Sequence, residues 1–172
     1  FAQLEEKASD PKTKLFIMCN PMNPVGTVMT EEELSKVEAI CLKHNVVLCS
    51  DEIHCDLILD ENATHIPAGK LAEIGSQTIT LMAASKTFNV AGLGTSFAII
   101  PDASVRLKFT KASAGIVPWV NFMGLVATEV AFTQCDDWHQ EQLEYLRGNL
   151  DYVVEQVEKL NGFSIIKPQA TF

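Results

Sequence analysis

The run ITLMAASKTFNVAGLG, residues 79–94, holds a single charged side chain, Lys86. An ammonium at the end of an apolar strand is costly unless it is paired or chemically used. Taken alone, the stretch fits an ordinary surface lysine at a strand–loop junction. Two other segments change that reading: Asn20-Pro-Met-Asn23-Pro-Val-Gly26 and Asp51-Glu52-Ile53-His54, each following a short apolar run. In open parallel sheets, functional groups gather at the carboxyl ends of strands. An amide, a carboxylate and an amine would then converge on one edge. That trio meets the needs of pyridoxal phosphate chemistry. The amine condenses with the cofactor aldehyde, a carboxylate opposite the ring nitrogen keeps it protonated, and an amide donor holds the ring oxygen beside the aldehyde. A partly buried site lowers the lysine pKa toward working pH.

The elements that must position these groups are legible in the pattern. KLFIMCN (14–20), VVLCS (46–50), QTITLMAA (77–84) and GTSFAIIP (94–101) read as buried-type strands, the last stopped by Pro101. Thr30-Glu31-Glu32-Glu33 is a capping box that opens a helix; Leu34, Val37, Ile40 and Cys41 repeat at helical spacing, and Asn45 closes it. Residues 1–9 read as a helix tail. Further helices are expected over about 102–112, 119–134 and 137–160, the last with an apolar stripe of Leu143, Leu146, Leu150, Val153, Val154 and Val157. Gly162 ends it, and FSIIK is expected to start a new strand. The fold class is therefore α/β, a mainly parallel sheet flanked by helices on both faces. The abrupt start at Phe1 and the end at FSIIKPQATF read as truncation.

The bulk numbers bound the function. The chain has 172 residues, 47% hydrophobic and 20% charged, enough for one domain with a real core. A net charge of −9 argues against nucleic acid or an anionic membrane as partner. No apolar run approaches the roughly 20 residues of a membrane span, and no signal peptide is visible. The five cysteines show no Cys-x-x-Cys spacing, so no metal site is expected and reduced thiols in the cytoplasm are.

N-P-x-N-P-x-G at 20–26, D-E-I-H at 51–54 and S-K-T-F-N at 85–89 together resemble the large domain of fold-type I pyridoxal-phosphate enzymes, the class I/II aminotransferase superfamily. D-E-I-H-C-D, H-I-P at 65–67 and the helix around 138–152 are similar to its cystathionine β-lyase (C–S lyase) branch. The resemblance spans essentially the whole chain, which covers less than half of such an enzyme. It implies that residues 1–150 are part of the cofactor-binding large domain, and 151–172 the connecting helix and start of a truncated small domain. It implies Lys86 as the cofactor-linked lysine and α-proton base, Asp51 on the pyridine nitrogen, Asn23 on the phenolic oxygen and Ser85 on the phosphate. His54 stands where many aminotransferases place a tyrosine; it would bond the ring oxygen or support Asp51. Two positions depart from the common pattern: Gly94 replaces a phosphate-binding arginine eight residues after the lysine, as in the C–S lyase branch, and Ala83 replaces a serine or threonine three before it. The implied activity is β-elimination on cystathionine or a related cysteine S-conjugate, with transamination as the alternative. The small-molecule partner is an amino acid, and the full-length protein is expected to be a homodimer. A chain lacking the family's flanking regions is expected to be inert by itself.

Other residues carry plainer expectations. Asn20 reads as a turn residue, and Glu52 stands between site and strand-end turn. His54 stands between site and core, and His65 reads as structural. His44 and His139 read as solvated helix residues; Trp119, Trp138, Tyr145 and Tyr152 read as core or domain contacts.

Overall fold

The computed structural model describes all of residues 1–172. Helix α1 (Ala2–Ala8) leads to β1 (Leu15–Cys19), α2 (Glu31–His44), β2 (Val47–Asp51), β3 (Ile79–Met82), β4 (Phe97–Ile99), α3 (Ala103–Ser113), α4 (Phe122–Gln134) and α5 (Asp136–Glu158). The four strands form one sheet in the order β1-β2-β3-β4. The first three are parallel, with Cys19 beside Asp51 and Asp51 beside Leu81; β4 runs antiparallel to β3. All four expected strands of the sheet exist; β1, β3 and β4 are shorter than their apolar runs, and β2 is shifted by one residue so that it ends on Asp51.

Helix α2 begins and ends as its sequence dictates. Thr30 accepts from the Glu33 N–H while Glu33 returns a bond to the Thr30 N–H, and Asn45 takes the left-handed conformation (φ 53°) that ends the helix. Its Leu34, Val37 and Cys41 pack on Met18 and Leu48 of the sheet, with Ala8, Val46, Ala68, Leu71 and Ile74 completing this largest core cluster. On the other face Cys49 and Ile79 meet Ile100, with Val105 of α3 packed against them. A third cluster joins Leu57 and Leu59 to Leu143 of α5, flanked by Leu146 and Leu150. Arg147 locks that contact by donating to the carbonyl oxygens of Leu59 (3.0 Å) and Ile58 (3.3 Å).

The expected strand at FSIIK does not form. Phe163 and Ile166 are exposed, and no sheet edge lies beside them. The backbone bonds are made a few residues later instead. The N–H groups of Gln169 and Ala170 donate to the Gly26 carbonyl (2.7 and 3.0 Å), those of Leu59 and Asp60 donate to Gln169, and that of Thr171 donates to Leu57 (2.8 Å). Gly26, at φ 73°, permits this approach: a Cβ there would sit 2.4 Å from the Cβ of Pro168. The last residues thus thread between the first loop and the segment after β2, which carries Phe172 to the sheet's carboxyl edge.

Helix α4 starts at Phe122 rather than near 119, because the Asn121 side chain accepts from the Gly124 N–H and caps it there. Trp119 lies ahead of that cap and is fully exposed, so it belongs to no core in this chain. His44 is half-buried rather than solvated; its Nε2 lies 2.7 Å from Glu5, tying α2 to α1. No helix is long and apolar enough to cross a membrane. The five cysteines are free; burial pushes the Cys41 thiol up to about 11 and the Cys55 thiol up to about 12.

Candidate active site

Because β1, β2 and β3 are parallel, their carboxyl ends share one edge of the sheet. Asp51 is the last residue of β2, half-buried, its Oδ1 accepting from the Ile53 N–H at 3.4 Å. The chain leaving β1 is bonded to it directly, since the Asn20 N–H donates to the Asp51 carbonyl at 3.0 Å. Asn20 is more than a turn former: its buried Oδ1 accepts from the Met29 N–H at 2.9 Å and holds the 20–29 loop closed.

Glu52 turns away from this edge. It is 1% exposed, receives the Ala68 N–H on Oε1 at 2.8 Å and meets His65 Nε2 on Oε2 at 2.8 Å. Its role is therefore structural: it ties the long 53–70 loop to the end of β2, and His65 is its partner.

His54 is 2% exposed, and its Nδ1 has no hydrogen-bond partner. Its ring lies 5.7 Å from that of Phe172. Burial pulls its pKa below the ordinary value, the nearby Lys86 ammonium pulls it further down, and the Asp51 carboxylate pulls the other way. The imidazole thus feels both the amine and the acid across the carboxyl edge.

Lys86 sits in the tight turn after β3, closed by bonds from the Phe88 N–H to the Ala84 carbonyl (2.9 Å) and from the Val90 N–H to the Ser85 carbonyl (3.1 Å). Asn89 completes the turn at φ 54°. Neither Lys86 nor Ser85 has a side-chain partner within the chain. Both line a cavity of about 260 Å³ with Asn89, Ala91, Gln142 and Phe172.

Asp51, His54, Ser85 and Lys86 therefore gather at one edge. Asn23 stands exposed on the adjoining turn and bonds none of them. Gln142 and Phe172 were not legible as cavity residues. Gln142 lies in a polar stretch of an amphipathic helix, next to Leu143 of the buried stripe; its Oε1 is buried without a partner. Phe172 arrives only through the Gly26 crossing. Asn89 did carry a signal, as the last residue of S-K-T-F-N.

His139 also departs from expectation. It is half-buried on α5, and its Nε2 lies 2.6 Å from the Asp56 carbonyl oxygen. It is drawn out of solvent because α5 lies across the segment that follows β2.

Comparison with known proteins identifies the family. The family of aminotransferase class I and II matches residues 1–172, and the chain belongs to that family. It is 38% identical to cystathionine beta-lyase PatB of Bacillus subtilis over 178 residues, covering 100% of this chain and 45% of that protein. Among solved structures it is similar to OvoB (39% identity, TM-score 0.94, 100% of this chain and 46% of that one). It is also similar to a PLP-bound C–S lyase from Staphylococcus hominis (35% identity, TM-score 0.90, 99% of this chain and 43% of that one). The chain thus spans less than half the length of each.

Proposed function

We propose that the protein carrying this chain is a pyridoxal-phosphate-dependent C–S lyase that eliminates the thiol from cystathionine or a related cysteine S-conjugate, giving pyruvate and ammonia. The observation that carries the reading is the buried His54 ring under the joint influence of Lys86 and Asp51. The residues present fit the cofactor. An amine free of any carboxylate and a free Ser85 hydroxyl line one cavity; an acid stands at the adjacent strand tip, and the buried His54 Nδ1 has no partner within the chain.

When bound, pyridoxal phosphate supplies an electron sink for a carbanion at the substrate α-carbon. Asp51 would hold the proton on the pyridine nitrogen. Lys86 would carry the cofactor, and its amine would remove the substrate α-proton. Asn23 would donate to the ring oxygen, and His54 would bond there or buttress Asp51. Ser85 is the phosphate ligand that this segment offers, since Gly94 and Ala83 add no side-chain donor. The C–S bond would then break with its electron pair going to sulfur, the thiolate would take the proton that Lys86 had removed, and water would hydrolyse the remaining enamine to pyruvate and ammonia. Residues 1–150 form part of the cofactor-binding large domain, and 151–172 lead into a small domain. The whole protein is a cytoplasmic homodimer acting on an amino acid.

The family match favours one second reading, transamination, in which the cofactor would pass the amino group to a keto acid and Lys86 would serve as the proton-transfer group. Two assays on the whole protein separate them: thiol and pyruvate release from L-cystathionine, and amino transfer to a keto acid. Elimination is expected to dominate. Lys86→Ala is expected to abolish both, together with the visible absorbance of lysine-linked cofactor. A Lys86→Ala protein that keeps that absorbance overturns the assignment. The 172-residue chain alone is expected to show no turnover.

A further inference from the structure

The lysine turn and the acid turn are hydrogen-bonded to one another at their base and nowhere beyond it. Within the sheet, β2 and β3 are in register, and the Glu52 N–H donates to the Leu81 carbonyl at 3.0 Å. Past that point the chains diverge. Residues 53–57 close on themselves, with the Cys55 N–H donating to Glu52 (2.9 Å) and the Leu57 N–H to His54 (3.0 Å). Residues 84–90 close on themselves likewise, and no hydrogen bond runs directly between the two turns. A site that needs an amine and an acid at fixed separation cannot leave two such arms independent, because an error of about 1 Å costs on the order of 100-fold in rate.

One side chain of helix α5 touches both arms. His139 Nε2 lies 2.6 Å from the Asp56 carbonyl oxygen, two residues beyond His54. A carbonyl can only accept, so this nitrogen carries the proton and donates. The same ring lies 5.8 Å from that of Phe88, two residues beyond Lys86, at an interplanar angle of 50°. Phe88 is gripped further by Trp138 (6.1 Å, 27°) and edge-on by Phe132 of α4 (5.7 Å, 85°). An aromatic cluster thus seizes the lysine turn, and one of its members reaches over to hold the acid turn.

We propose that His139 is a positioning residue: it braces the Lys86 turn against the Asp51–Asp56 turn, through Phe88 on one side and the Asp56 carbonyl on the other. Its consequence for catalysis rests on the pyridoxal-phosphate reading; the brace itself does not.

The test compares His139→Leu with His139→Gln. Leucine keeps apolar bulk against Phe88 but has no donor, whereas the glutamine amide can still donate to Asp56. Amide hydrogen exchange is measured first, on the whole protein before cofactor is added. His139→Leu is expected to speed exchange at residues 54–57 and 86–90 together by at least ~10-fold, with β1 and β2 unchanged, and His139→Gln to stay near wild type. Phe88→Leu supplies a second arm: it is expected to loosen residues 54–57 although it lies on the other turn. Unchanged exchange at 86–90 in His139→Leu, or at 54–57 in Phe88→Leu, overturns the brace. In the whole holoenzyme, His139→Leu is expected to lower kcat roughly 10- to 100-fold with KM within about twofold, and His139→Gln to recover most of the loss. A glutamine variant as impaired as the leucine one also overturns the proposal. If wild-type protein gives no visible absorbance with pyridoxal phosphate, the functional reading falls, and the exchange arms alone decide the brace.

Discussion

His54 shows how much a single side chain can report about a site. Its imidazole is buried without a partner for Nδ1, and both burial and the Lys86 ammonium disfavour its charged form, with Asp51 opposing them. The folded chain therefore releases this proton more readily than the unfolded chain, whose histidine titrates near 6.5. Above that value neither state is protonated, and His54 adds no pH dependence. As pH falls through about 6.5 the unfolded chain takes up the proton first, so stability drops, levelling off below the folded value. Thermal unfolding measured at about pH 7.5 and 5.5 is expected to show a larger loss for wild type than for His54→Asn. The other histidines cancel in that difference, and equal losses refute the electrostatic account of this ring.

At the scale of elements, local chemistry and tertiary contact divide the work. The reciprocal Thr30–Glu33 capping bonds start α2 and are written in four consecutive residues. Thr30→Ala is expected to cost about 1 kcal/mol in chemical denaturation, with the cooperativity of unfolding unchanged. The stripe beneath that cap is set by its neighbours: Leu34 and Leu48 are fully buried against one another's elements. Leu48→Ala is expected to cost about 2–5 kcal/mol, depending on how far α2 collapses onto the space. The expected strand at FSIIK failed for the same reason that α2 succeeded. An apolar run becomes a strand only where a partner edge accepts its hydrogen bonds, and none lies beside residues 163–167.

Across the whole molecule, the crossing at Gly26 links the two ends of the chain. It seats Pro168–Ala170 against the first loop and so delivers Phe172 to His54. Gly26→Ala combines the left-handed backbone, worth roughly 1–2 kcal/mol for an L-residue, with a Cβ placed 2.4 Å from Pro168. The substitution is expected to lower the unfolding midpoint and to release residues 168–172 to proteolysis. A variant with wild-type protease resistance at that segment shows that the crossing does not hold the C-terminal residues. At the same scale, apolar side chains stand in solvent. Leu15 and Ile17 on one edge strand, Phe97 and Ile99 on the other, and Trp119, Phe122 and Met123 before and in α4 are all exposed. They belong to a chain that spans less than half the length of the relatives it matches.

The sequence by itself determined the order and type of the elements as far as α5, the cap and stop of α2, and the strand ends that lead to Asp51 and Lys86, because these follow from hydrophobic period, turn chemistry and motifs only a few residues long. It also narrowed the chemistry, since an amine, an acid and an amide at successive strand tips suit few cofactors. Only the tertiary structure decided the side-chain partners. Glu52 and His54 sit two residues apart in one motif, yet one turns inward to clasp His65 while the other lies under the influence of Lys86. His139, Gln142 and Phe172 carry no local mark of their positions. Each is brought to the site by a contact with residues 30 to more than 100 positions away in the chain, which no local pattern encodes.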